Sequence, residues 1–227
     1  MCSSDLDTLS LDDVASALEP AMKYDPVEHL AYLTMALKNS TITAQFERLG
    51  RIYVNNPDSR VDDATLGMYQ TFANTVNDAE THHQLGDQYR LRERYQEAVS
   101  EYRQALQLDP EHRDTLFNIA ACQEYLGMLD EALLTYQQAG KQNPEDSDVT
   151  YRLARVHQKM GNQSRALAYI DQNLNRLPSV NAYWLKAKIL QATGRQDEAK
   201  AVYLEILKLN PDDAEAQYEL NQTMAKW

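Results

Sequence analysis

The sequence is poor in glycine and proline, with seven of each in 227 residues, about half of average usage. So few punctuators leave room for few tight turns, which argues against sheet-rich folds and against phosphate loops built from glycine. Cysteine is scarcer still. Cys2 and Cys122 make no disulfide framework and say little about redox compartment. Long apolar runs are missing too: the longest are a few residues, such as Ala120-Ala121-Cys122, against the roughly 20 that a membrane span needs. No direct membrane insertion is therefore expected. Basic charge is in deficit, 22 Lys and Arg against 34 Asp and Glu, for a net charge of −12. Phosphate repels such a surface, which argues against nucleic acid as a partner. What remains, 43% hydrophobic and 25% charged residues, is the composition of a soluble globular protein. It leaves the compartment open between cytoplasm and periplasm.

Motifs that carry chemistry are also lacking. There is no G-x-x-x-x-G-K-[ST], no G-x-G-x-x-G and no G-x-S-x-G. The histidines are His29, His82, His83, His112 and His157, and none has metal-ligand spacing. His82 and His83 are adjacent, so they point to different faces of one helix. Asp12-Asp13, Asp62-Asp63 and Asp212-Asp213 fall at expected helix starts, where carboxylates complement the helix dipole. Cys122 has no basic neighbour in sequence to lower its pKa and reads as a small packed residue. No catalytic residue, cofactor site or metal site is expected, and the chain reads as a non-enzyme.

The string GTG TGC TCT TCC GAT CT, the end of a widely used short-read sequencing adapter, would translate as Met1 to Leu6. Residues 1–6 are accordingly read as an adapter scar on a truncated frame and set aside, the alternative being a real, frayed, polar N-terminus with an N-cap run. Native codons across this junction would refute that reading. The true N-terminus is then missing, and the lack of a signal peptide carries no information about compartment.

What the sequence does have is a repeat. Pro110, Pro144 and Pro178 are spaced by 34 residues, and Pro211 follows after 33. Gly127, Gly161 and Gly194 keep the same phase, as do Ala98, Ala132, Ala166 and Ala199. Each period holds two amphipathic stretches of helix length. A small residue is needed where two helices cross closely. Proline ends one helix and pre-sets φ for the next. The glycines stand where a first helix needs a left-handed cap.

On these residues the chain resembles the tetratricopeptide repeat family. Leu85-Gly86, Tyr89, Ala98, Tyr102, Ala105 and Asp109-Pro110 carry nearly the full signature, and the later periods repeat it. Asn173 replaces a usual small residue, and Lys186 departs from a usual apolar one. The resemblance implies an all-α fold, a right-handed α-solenoid of helix–turn–helix repeats. Residues 79–112, 113–146, 147–179 and 180–213 are read as four repeats, 43–78 as a degenerate repeat, and 214–227 as a capping helix. Residues 7–42 are read as an N-terminal helical hairpin or a further worn repeat.

The resemblance also implies that first helices line a concave face. The fifth position of successive units reads His83, Phe117, Tyr151, Trp184 and Tyr218, a ring in every unit and surplus to the expected core. Rings along a groove supply contact area at low entropic cost; the alternative is that some of them tuck against the next repeat. Asn118 and Arg152 occupy the sixth position, Arg155 and Lys188 the ninth, with Lys159 nearby. Two of these positions match a carboxylate clamp that holds peptide C-termini in some relatives. His83, Asp87 and Asp148 depart from it, and an aspartate in place of lysine would repel a carboxylate. Asn118 is expected to bond a peptide backbone, and Arg152 and Arg155 to pair with an acidic side chain. The alternative is a solvated helix face with an Asp148–Arg152 pair.

The expected function is a scaffold or adaptor that binds a peptide or protein segment in its groove, within a multiprotein assembly. An alternative is an assembly subunit or secretion-type chaperone docking through its N-terminal helices. A third is the non-catalytic part of a larger, truncated enzyme.

Overall fold

The computed structural model describes residues 77–112 and 114–224, preceded by helical positions 66, 67, 69, 70, 73 and 74. The expected scar at 1–6, the hairpin at 7–42 and most of the unit at 43–78 lie outside the described residues. From Ala79 onward, every regular element among the described residues is an α-helix: α1 (Ala79–Leu91), α2 (Tyr95–Leu108), α3 (Thr115–Tyr125), α4 (Leu129–Gln142), α5 (Ser147–Lys159), α6 (Gln163–Arg176), α7 (Val180–Ala192), α8 (Gln196–Leu209) and α9 (Ala214–Met224). The architecture is an all-α helical repeat solenoid. No helix among the described residues is long and apolar enough to cross a membrane. The chain divides into two units between Thr115 and Leu116, and each is described by itself.

Local chemistry sets the two kinds of helix start. The first helices α1, α5, α7 and α9 are capped by side chains. Asp78 accepts from Thr81 N at 2.8 Å, Asp146 from Asp148 N at 2.8 Å, Ser179 from Ala182 N at 3.3 Å, and Asp213 from Ala216 N at 2.9 Å. The second helices α2, α4, α6 and α8 have no side-chain cap. They begin right after a left-handed turn instead. Gly127, Gly161 and Gly194 sit at φ +76°, +77° and +73°, where a Cβ would be strained. The amide after each glycine reaches back to the preceding helix: Met128 N to Gln123 O at 2.9 Å, Asn162 N to His157 O at 2.8 Å, and Arg195 N to Leu190 O at 2.9 Å. In the hairpin of α1 and α2, Glu93 takes the left-handed place at φ +60°.

The core follows from the alanine phase. Ala98, Ala132, Ala166 and Ala199 are all fully buried. In the unit that ends at Thr115, α1 packs on α2, and a Cβ added to Gly86 would lie 2.6 Å from the ring of Tyr102. In the unit that starts at Leu116, each second helix packs on its own first helix and on the first helix of the next hairpin. Ala132 and Tyr136 of α4 meet Ala120 of α3 and Leu153 of α5. Ala166 and Ile170 of α6 meet Ala154 of α5 and Leu185 of α7. Ala199 and Tyr203 of α8 meet Ala187 of α7 and Ala216 of α9. Burying each large side chain here stabilises by about 2 kcal/mol. The two departures from the repeat signature find polar partners. Asn173 is buried and donates from Nδ2 to the Ser147 carbonyl at 2.6 Å. Lys186 pairs with Asp171 at 2.7 Å.

Candidate functional site

His83 belongs to the first of the two units. Its ring lies 5.3 Å from that of Tyr102 and 4.9 Å from that of His112, with Asp87 3.9 Å from Nδ1. Burial holds its pKa below 6.5, against the opposing pull of Asp87. Tyr102 donates its hydroxyl to Asp87 at 2.7 Å, and Arg90 reaches the same carboxylate at 3.1 Å. Burial first, and the Asp87 charge second, push the Tyr102 hydroxyl up. His82 faces elsewhere. It is buried, 2.8 Å from Glu101 through Nδ1 and 3.1 Å from Asn77 through Nε2.

The second unit holds the remaining members of the ring column. Phe117 on α3 sets its edge against Tyr136, centroids 5.5 Å apart at 66°. Trp184 on α7 lies 5.6 Å from Tyr203 and donates Nε1 to Asp213 at 3.2 Å. Tyr151 on α5 packs against the core cluster that holds Ala154, Ile170 and Leu185; Ile170 stands where the other hairpins carry tyrosine. These rings are half-buried, so they are not surplus to the core as the sequence suggested. His83, Phe117 and Trp184 each rest on the tyrosine that the second helix of their own hairpin brings to the crossing. Only Tyr218 on α9, at 59% exposure, stands clear.

The charges depart further from expectation. Arg152 and Arg155, the cations expected to pair with an incoming acidic side chain, already face a carboxylate of the chain itself. Glu124, near the end of α3, has a side chain only 1% exposed. Its Oε1 lies 2.7 Å from Arg155 and 2.8 Å from Lys159. Its Oε2 lies 3.8 Å from Arg152 and accepts from the Tyr136 hydroxyl at 3.4 Å. Burial alone would raise the Glu124 carboxyl. The hydrogen bond from Lys159 and the charge of Arg155 outweigh it and hold the pKa down. Arg152 also lies over Phe117, 5.7 Å from the ring centroid. No ion pair joins Arg152 to Asp148 among the described residues. Asn118 sits on α3 beside Phe117, half-buried.

A concavity of about 620 Å³ opens on the first helices of this unit. Tyr151, Arg155, Trp184 and Lys188 line it together, while Phe117, Asn118, Arg152 and Tyr218 are not among its lining residues. Lys159, Tyr125, Gln158, Asn181, Leu185 and Glu215 complete the wall. Sequence reasoning passed over Tyr125, 61% exposed. It stands, like Lys159, one helical turn beyond the ninth position, on the same face, and i, i+4 spacing could have found it. Lys188 sets its ammonium 5.8 Å from the Trp184 ring centroid. The site therefore offers rings, fixed ammonium and guanidinium groups and amide side chains on rigid helices. That is an equipment for contact. No cluster of His, Cys, Asp and Glu suited to a metal occurs among the described residues.

With this geometry in hand, similarity to known proteins is informative. A family model described as tetratricopeptide repeat matches residues 89–149 and again 125–189, and a second of the same description matches 180–223. No curated protein matches the chain. Among solved structures, one of MamA is 20% identical with a TM-score of 0.62, covering 67% of this chain and 91% of that one. MamA from Desulfovibrio magneticus RS-1, residue 41 to the end, is 16% identical with a TM-score of 0.68, covering 74% and 97%. YrrB, described as a TPR protein with an unusual peptide-binding site, is 21% identical with a TM-score of 0.58, covering 70% and 82%. At these identities the likeness shows the fold.

Proposed function

Because the chain belongs to the tetratricopeptide repeat family, we propose that it is a non-catalytic scaffold that binds a peptide or protein segment through the inner face of its first helices, within a multiprotein assembly. The observation that carries this reading is the concavity of the second unit. Tyr151, Trp184, Arg155 and Lys188 come from two successive first helices, α5 and α7, and face one space. Such a wall suits an extended segment: rings contribute area, and the charged heads fix register. The peptide-binding site described for YrrB supports the class of ligand.

The test is a comparison of proteins recovered on the immobilised full chain and on its Tyr151→Ala/Trp184→Ala variant. Loss of a specific partner from the variant, with its helix content unchanged by circular dichroism, is the expected result. Full recovery on a folded double variant overturns the groove reading.

A further inference from the structure

The charge around the concavity is unevenly spoken for. Three cations line it, Arg155, Lys159 and Lys188, against one carboxylate, Glu215. In a chain of net charge −12 this is a local reversal of sign, and such a reversal attracts an anionic group. Two of the three cations are already held by Glu124, which is buried and reaches them from within the chain at 2.7 and 2.8 Å. Lys159 is the most exposed of Glu124's partners, at 44% against 25% for Arg152 and 27% for Arg155. Lys188 has no carboxylate at ion-pair distance among the described residues; its contact is the face of Trp184.

We infer that the occupant of this concavity is an acidic stretch of a partner protein, and that Glu124 is an internal competitor that sets how tightly it is held. The inference rests on the groove reading above. An incoming carboxylate meets Lys188 with no ion pair to displace. It meets Lys159 only by sharing the ammonium with Glu124, which is fixed in place by Arg155 and Tyr136 and keeps its charge. The buried carboxylate thus offsets part of the attraction that the cations would otherwise exert, while keeping Arg155 and Lys159 ordered. The rings of Tyr151 and Trp184 supply the apolar contact between carboxylates.

The test uses the full chain and three fluorescein-labelled peptides of equal length, rich in glutamate, lysine or serine. Binding is read by fluorescence anisotropy at low and high salt. The wild type is expected to prefer the glutamate peptide, with affinity that falls as salt rises. Glu124→Gln is expected to bind it about fivefold tighter, the effect of releasing one partly exposed ion pair. Lys188→Gln, which disturbs no buried group, is expected to bind it about fivefold weaker. Preference for the lysine or serine peptide overturns the inference, as does no detectable binding of the glutamate peptide. So does a folded Glu124→Gln variant that binds no tighter. If Glu124→Gln does not fold, Lys188→Gln still decides the matter: unchanged glutamate-peptide affinity in that variant refutes the acidic occupant. The two readings fail differently. Partner loss in Tyr151→Ala/Trp184→Ala with no effect of Glu124→Gln leaves the groove reading standing and removes this one. Full partner recovery on the double variant removes the groove reading itself.

Discussion

Tyr136 on α4 and Tyr203 on α8 hold the same place in two hairpins of one unit, and both are fully buried. Each ring carries an aromatic neighbour from its first helix, Phe117 or Trp184. Their hydroxyls differ. That of Tyr136 donates to Glu124 at 3.4 Å, inside a cluster of three cations. That of Tyr203 is buried with no hydrogen-bond partner, and burial, helped by Glu219 and Glu215, pushes its pKa up to about 12. The ring is therefore what the repeat requires, because it fills the space beside the alanine crossing. The polar surroundings are free to vary, and that is where two hairpins of one fold come to differ in charge.

The comparison is broken most severely at what the two hairpins share. Ala132 and Ala199 are fully buried at corresponding crossings. Ala132→Phe forces a ring into the contact of α4 with α3 and α5, and is expected to cost roughly 3 kcal/mol. Thermal unfolding followed by circular dichroism should show a Tm lower by roughly 6–12 °C. A melt equal to that of the wild type would contradict the packing described for that hairpin.

A smaller break uses the hairpin of α1 and α2, considered by itself. There Gly86 faces Tyr102, where Ala120 faces Tyr136 and Ala187 faces Tyr203. An added Cβ at Gly86 would lie 2.6 Å from both Cδ1 and Cε1 of the Tyr102 ring, and that ring is anchored by its bond to Asp87. Gly86→Ala is therefore expected to cost about 2 kcal/mol, although alanine is native at the corresponding place in the three later hairpins, as Ala120, Ala154 and Ala187. Chemical denaturation would detect it, and no change in midpoint would show that the Tyr102 ring is free to retreat.

How much of this was legible in the sequence depends on where the interacting partners lie. The solenoid was legible because its contacts repeat: Ala132, Ala166 and Ala199 make the same crossing, and Gly127, Gly161 and Gly194 the same turn. The turn at Glu93 was not, since a non-glycine residue at φ +60° leaves no mark in composition. The ring column was legible as a column, but not the resting of Phe117 and Trp184 on the tyrosines of their own hairpins. Such a contact follows from the crossing geometry of two helices rather than from periodicity along one. Glu124 was missed altogether. Its partner Arg155 lies 31 positions away on the next hairpin, and in its own helix it reads as one polar residue near the end of an apolar run.

The tyrosine comparison itself is sharpened by removing one oxygen from each. Tyr203→Phe deletes a buried hydroxyl that has no partner and is expected to be neutral or to stabilise by about 1 kcal/mol. Tyr136→Phe deletes a donor to Glu124, whose carboxylate keeps Arg155 and Lys159, and is expected to destabilise by about 1 kcal/mol. Opposite signs in denaturant midpoints support the contrast. Equal effects would show that the two hydroxyls are solvated alike.

The smallest effects are those of pH, and they separate two buried groups of the second unit. His157 on α5 stacks on Tyr169, centroids 5.4 Å apart at 13°, and its Nδ1 has no partner. Burial, with Arg165 adding to it, holds its pKa below 6.5. The unfolded chain thus takes up this proton first, so stability falls as pH drops below 6.5 toward the folded value. Glu124 is likewise lowered, from 4.5. Its contribution is fully present above that value and is lost as pH falls through the lower folded pKa. The windows do not coincide. His157→Gln should flatten the dependence of Tm on pH just below 6.5 and leave the acid limb, whereas Glu124→Gln should flatten the acid limb and leave the neutral one. A Glu124→Gln variant whose acid limb matches that of the wild type would mean that Arg155 and Lys159 favour the charged carboxylate no more in the folded chain than water does in the unfolded one.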